Sequence, residues 1–301
     1  MSRPAPAPEA SPAGLAEHPY GQQRARVLAA WDGFLAVAGA ADLDRPSRLP
    51  GWTGHDVAVH IGDWDDVTTL DRLLAQARSG RPAGQGDTDA ANAAVVAAHR
   101  GASRADVLAA LERSRQRVAD WYDDAGPDGP DALGRATVMS VVGALPLLTV
   151  VNAGGYELAV HALDLGIHPP EVLLDAGLAA LVDVTGAFAA RRGLRTALTA
   201  WTGRAGWQVR TADGGWRTEP VTARPPGAAV EAAPDVLLDA SAGRRAVPPL
   251  LASRAVRVHG LPDLLRLAPI VDEVPGLPGG PALRAAARWV GGAGRLLRLG
   301  R

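Results

Sequence analysis

Apolar residues along the first 165 positions recur mainly with helical spacing. Val27, Leu28, Trp31 and Leu35 mark one face of a helix over 19–39. The breaker run Asp44-Arg45-Pro46-Ser47-Arg48-Leu49-Pro50-Gly51 interrupts the pattern. Thr53-Gly54-His55-Asp56 then reads as a capping-box variant, with Asp56 in the place of the usual Glu or Gln. The helix it opens is expected to run through Val57, His60, Ile61 and Trp64 toward Leu74. A weaker helix is expected over 88–99. Ser103-Arg104-Ala105-Asp106 repeats the capping pattern before a helix ending near Trp121. A strongly apolar helix follows from about Pro146 to Leu165, with Gly166 as its stop. Gly154-Gly155 lies inside it. Glycine weakens a helix there, but it admits a close backbone or a ligand. Up to Gly166 the pattern is an antiparallel four-helix bundle, a frame whose core commonly holds metals.

Beyond Pro169-Pro170 the character changes. A helix spans 171–191, and strand-like segments follow at Thr196–Trp201, Trp207–Thr211 and Trp216–Glu219. Asp213-Gly214 is a hairpin signal between the last two. Asp235 to Ala242 reads as a helix, Ala255–His259 as a strand and Pro262 to Ala268 as a helix. The fold class is α+β. The boundaries are a disordered leader at 1–17, a helical bundle at 18–169, a smaller α+β domain at 170–275 and a helical tail at 276–301. Trp201, Trp207 and Trp216 are expected in the core of the smaller domain.

Composition narrows the function classes. Hydrophobic residues make up 47% and charged residues 21% of the chain, and the formal net charge is −1. Such a balance offers no electrostatic case for nucleic acid or an anionic membrane. No apolar run reaches spanning length uninterrupted, so no membrane association is expected and the location is expected to be cytoplasmic. The leader lacks the apolar stretch of a signal peptide. All 31 basic residues are Arg and there are no cysteines. Disulfides, cysteine metal sites and a protein thiol nucleophile are therefore excluded.

The candidate chemistry centres on Glu157 and His161. Residues four apart on a helix share a face, so this carboxylate and imidazole can grip one cation. A carboxylate in so apolar a helix is costly unless it is paired or metal-bound. His60, on another helix, offers a third ligand. Two His and one Glu form a catalytic zinc set that leaves one coordination position open. Asp164 reads equally as a partner of His161 and as a local helix-end group. Asp56 reads as a cap and Trp52 as packing. His55, His99, His168 and His259 have no partners at metal spacing.

These segments resemble the mycothiol-dependent maleylpyruvate isomerase family, whose bundle belongs to the broader DinB-like metalloproteins. The resemblance rests on Arg45-Pro46-Ser47-Arg48-Leu49-Pro50-Gly51-Trp52-Thr53 followed by His60. It rests also on Glu157-Leu158-Ala159-Val160-His161-Ala162-Leu163-Asp164-Leu165-Gly166, and on Pro170-Glu171-Val172 opening the second domain. It implies a metal held by His60, Glu157 and His161, zinc being expected. It also implies a sterol-carrier-like domain closing over the site and a low-molecular-weight thiol, mycothiol, as cofactor. Carried over from the family, Arg244 is expected in the site as the catalytic cation that clamps a substrate carboxylate, with Arg245 its unresolved neighbour. The partners expected are the thiol and a small electrophile, in a monomer or weak oligomer. Cis–trans isomerisation and S-transfer both remain open. So do two rivals: a non-catalytic protein binding an apolar ligand, and a metal-assisted hydrolase on the same bundle.

Overall fold

A computed structural model describes residues 11–81, 88–124 and 131–273. The tail expected at 276–301 lies outside the described residues. The helical part contains α1 (Tyr20–Ala40), α2 (Gly54–Ile61), α3 (Thr69–Ser79), α4 (Thr88–His99), α5 (Arg104–Asp124) and the short α6 (Asp131–Gly134). A two-stranded hairpin of β1 (Thr137–Ser140) and β2 (Gly143–Pro146) leads into α7 (Leu147–Asp164). The second part is α8 (Glu171–Arg191), β3 (Thr196–Trp201), β4 (Gly206–Ala212), β5 (Gly215–Val221), β6 (Ala229–Glu231), α9 (Pro234–Ser241), α10 (Val247–Ala252), β7 (Arg257–His259) and α11 (Leu261–Leu265). A 3-10 turn, Ala268–Glu273, follows. The five strands run in the order β5-β4-β3-β6-β7, antiparallel except for the β3–β6 pair. The fold is α+β.

α1, α2, α5 and α7 pack in a ring: α1 and α2 each touch both α5 and α7. The helix expected from Thr53 to Leu74 is in fact two. Thr53 and Asp56 form the capping box of α2, and Thr68 and Asp71 form a second one that starts α3. Between them Asp63 accepts from the Thr69 amide at 2.8 Å, and its own amide donates to Ser114 on α5 at 2.9 Å. Gly62 meets α5 closely, since a Cβ there would lie 3.0 Å from Ala110 Cβ. The strong apolar pattern masked the second cap. The hairpin β1–β2, β6 and α10 were not expected. Each is shorter than the window in which periodicity can be read.

α8 lies between the bundle and the sheet, packed on α1 and α7 on one side and on β3, β4 and β5 on the other. By length and composition it is apolar enough to cross a membrane, but most of it is buried inside the protein. Small residues let it approach both neighbours. A Cβ at Gly177 would lie 2.4 Å from Ala159 Cβ on α7, and one at Gly186 would lie 2.3 Å from Val209 on β4.

Residues 11–17, expected within a disordered leader, are ordered; those before them lie outside the described residues. Gly14–Glu17 is a 3-10 turn, Leu15 is fully buried, and the Trp216 amide donates to Pro12 O at 2.9 Å. One buried carboxylate holds this segment. Asp183 Oδ1 accepts from the Leu15 amide at 2.9 Å, Trp216 Nε1 at 2.9 Å and Thr218 Oγ1 at 2.6 Å. Asp183 Oδ2 is buried without a hydrogen-bond partner. Burial pushes this carboxyl up to about 6, with the three donors pulling the other way.

Since the folded state holds this proton more tightly than the unfolded chain, the group favours folding most at low pH. Its contribution is full below about 3.8 and is lost as pH rises through about 6. Urea unfolding between those values should show the loss, on the order of 2–3 kcal/mol. Asp183→Asn, which cannot titrate, should flatten that slope; an unchanged slope would mean that Asp183 is not its source.

Candidate metal centre

The bundle brings together the three residues singled out in the sequence. His60 projects from the last turn of α2, and Glu157 and His161 lie one turn apart on α7. One ligand atom from each falls within 4.8 Å of the others. Ligand atoms that share one zinc ion at ~2.0–2.2 Å stand roughly 3–4 Å from one another, a spacing of the same order. The His60 and His161 rings meet edge to face at 5.1 Å. His60 Nδ1 is buried without a hydrogen-bond partner. An orphaned imidazole nitrogen beside a carboxylate fits a metal ligand better than a packed core histidine.

A second layer fixes His161. Its Nδ1 lies 3.0 Å from Asp164 Oδ2, which leaves Nε2 toward Glu157 Oε2 at 3.4 Å. Of the two readings open for Asp164, this is the partner of His161. Arg244 in turn grips Asp164 with both prongs: Nε donates to Oδ1 and Nη2 to Oδ2, each at 2.9 Å. Arg244 was expected to clamp a substrate carboxylate. Its fork is instead engaged by Asp164, behind the imidazole. Arg245 is exposed, which separates the two neighbours.

The electrostatics follow from this layering. Burial and the nearby His161 lower His60 to about 4, against the opposing pull of Glu157. His161 is raised to about 9, because Asp164 and Glu157 outweigh its burial. Burial tends to raise Glu157 and Asp164, but His161 and Arg244 hold both carboxyls below their ordinary values. Near neutrality the two carboxylates are thus balanced by Arg244 and a protonated His161, so a bound cation would take the place of the imidazole proton.

Glu157 lies deep in the protein, yet its side chain is 53% exposed. It faces a cavity of about 1740 Å³ that His60 and His161 also line. Trp52, read chiefly as packing with a place at the site entrance as the alternative, borders this cavity and meets His60 edge to face at 5.6 Å. Asp56 caps α2 as expected. His55 reaches Ala102 O at 2.9 Å, His99 stacks on Trp64, His259 pairs with Glu231, and His168 is exposed.

Two features had no role assigned from the sequence. Tyr156 Oη and Ser241 Oγ lie 3.1 Å apart at the cavity wall, joining α7 to α9. Arg48 approaches Asp239 Oδ1 at 2.7 Å, and its amide donates to Asp164 O at 3.0 Å. Arg48 thus ties the loop before α2 to the end of α7 and to α9. Its partners lie more than a hundred residues away, and no local spacing points to them.

A His-Glu-His cluster inside a helical bundle, open to a cavity, is the arrangement of a candidate metal centre. Residues 24–166 match the family model of the mycothiol maleylpyruvate isomerase N-terminal domain. The fold is similar to the crystal structure of the mycothiol-dependent maleylpyruvate isomerase: TM-score 0.52 and 17% identity, over 77% of this chain and 92% of the other. A histidine-to-alanine mutant of that isomerase gives TM-score 0.53 at 17% identity, over 81% and 95%. No curated protein matches the sequence significantly.

Purified protein should carry about one divalent ion per chain, since the ligands converge once. Elemental analysis should show it lost from His60→Ala, Glu157→Ala and His161→Ala. Full occupancy in His161→Ala would overturn the ligand assignment.

Proposed function

We propose that this chain is a metal-dependent enzyme that activates a low-molecular-weight thiol of the mycothiol type for addition to an electrophilic small molecule. The outcome is cis–trans isomerisation when the adduct rotates and expels the thiol, and S-transfer when it persists. A single observation carries the reading: three candidate ligands stand together on the wall of a large cavity. A structural metal site is closed by four protein ligands, whereas among the described residues this cluster has three. The arrangement disfavours the purely structural metal of a binding protein.

A divalent cation held by His60, Glu157 and His161 supplies Lewis acidity, which makes a thiolate available near neutral pH. The rest falls to the protein's own side chains. Asp164 orients His161 through Nδ1 and keeps its Nε2 free for ligation. Arg244 fixes Asp164 from two sides and is a positioning residue in this reading. Tyr156 holds a proton on Oη at the cavity wall, where it can donate to charge developing on the electrophile. The chain has no cysteine, so the thiol must come from outside.

The test is product analysis by mass spectrometry after incubation with mycothiol and a panel of electrophiles. Turnover should vanish when thiol is omitted; thiol-independent turnover would refute the mechanism and favour the hydrolytic alternative. Arg244→Ala should weaken metal affinity or turnover about 10–100-fold for every substrate, charged or not. Arg244→Lys should recover little, because an ammonium cannot reproduce the planar fork. If Arg244→Ala kept its metal and lost activity only toward carboxylates, Arg244 would be a substrate clamp after all.

A further inference from the structure

The cavity that begins at the metal ligands is much larger than a small dicarboxylate needs. Its volume of about 1740 Å³ exceeds the roughly 300–1,000 Å³ of ordinary small-molecule sites. Residues of α7 and α8 line it as far as the β1–β2 hairpin. Those helices are antiparallel, since Arg191 at the end of α8 donates to Val142 O and Ala144 O just before α7 begins. From His161 back to Val150, both on the wall, α7 spans about 16 Å.

The wall away from the ligands is apolar, with Val184 and Phe188 from α8, Leu198 from β3 and Leu264 from α11. Among the described residues no Arg lines it, and the chain has no Lys. Besides its two His, the charged residues on the wall are Asp63 and Glu157, both acidic. Val141, Leu251 and Leu261 are exposed large hydrophobic residues that also line the cavity, an apolar rim at the end far from the ligands. Gly154 lies on the wall one turn before Glu157, and a Cβ there would meet nothing within 4 Å. Its neighbour Gly155 serves a different end, since a Cβ there would press on Ala176 O at 3.2 Å.

We infer that the electrophile is an uncharged molecule with an extended apolar body, lying along α7 and α8 with its reactive end at His60, Glu157 and His161. The inference rests on the reading of that site as the place where thiol and electrophile meet. An α,β-unsaturated aldehyde with an alkyl chain has this form. The thiol sulfur bonds to its β carbon, the alkene pair moves toward the carbonyl, and the thiol proton ends on the α carbon. Thiol and alkenal combine atom for atom into the thioether aldehyde. Beyond the cluster of His60, Glu157 and His161, a dicarboxylate would find no protein cation on the described wall for its second carboxylate.

The experiment measures displacement of the neutral dye N-phenyl-1-naphthylamine from the zinc-loaded full chain. Competitors are trans-2-alkenals from butenal to dodecenal, with maleate and fumarate beside them. Apparent affinity should rise about three- to fourfold per methylene until the chain outgrows the cavity, as burial of each CH₂ requires. The dicarboxylates should not displace the dye. Gly154→Leu and Thr185→Trp, which fill the cavity from α7 and α8, should weaken dodecenal at least tenfold while zinc content stays the same. Flat chain-length dependence, displacement by the dicarboxylates, or wild-type affinity in both folded variants would overturn the inference. Binding needs neither thiol nor turnover. A loss of thiol dependence would therefore overturn the reading of the site, while the chain-length series still decides the shape of the substrate.

Discussion

The close crossing of α7 and α8 is the constraint on which the rest of the structure depends. Gly155 and Ala159 on α7 meet Ala176 and Gly177 on α8 with almost no side chain between the backbones. Packing at interior density forbids a methyl group there without displacement. The contact sets where α8 sits, and α8 sets where the sheet sits, because Gly186 brings β4 equally near on its other side. The face of α7 that carries Glu157 and His161 is left turned to the cavity. Gly155, which weakens α7 as an isolated helix, is thus part of what positions Glu157 and His161.

Electrostatics carry the same connection further. Arg244, just beyond α9, reaches Asp164 at the end of α7, and Asp164 reaches His161. Breaking such a half-buried chain at any member leaves a charge without its partner, which costs more than the pair contributes when intact. The imidazole orientation on the bundle is therefore held by a residue of the second part of the chain. Tyr156 and Ser241 repeat the link with a neutral contact between the same two helices.

Much of this was legible in the sequence, for identifiable reasons. The long helices α1, α5, α7 and α8 announce themselves by periodicity, and β3 to β5 by aromatic and β-branched residues around Asp213-Gly214. Glu157 and His161 share a helix face by spacing alone. His60 needed the second helix and the resemblance, and the structure brings its side chain within reach of both. What could not be read depends on contacts distant in sequence. The break after Ile61 is fixed by Asp63 and Ser114, and the ordered turn at Gly14–Glu17 by Asp183, 168 positions away from Leu15. Arg244 could be named but not given its partner, for Asp164 lies 80 positions earlier. Nor does one-dimensional spacing reveal a cavity, which is a property of what the side chains leave unfilled.

The cavity has one consequence for how such a protein can change over generations. The end at His60, Glu157 and His161 is built from α2 and α7, within the stretch that matches the family model, whereas much of its apolar end comes from α8, β3, β6 and the segments after α9. Chemistry and substrate shape are thus written largely in separate stretches of one gene. Substitutions that enlarge, narrow or recolour the far wall need not disturb the His60–Glu157–His161 cluster, so under the proposed function a lineage can drift from one substrate shape to another while its reaction stays the same.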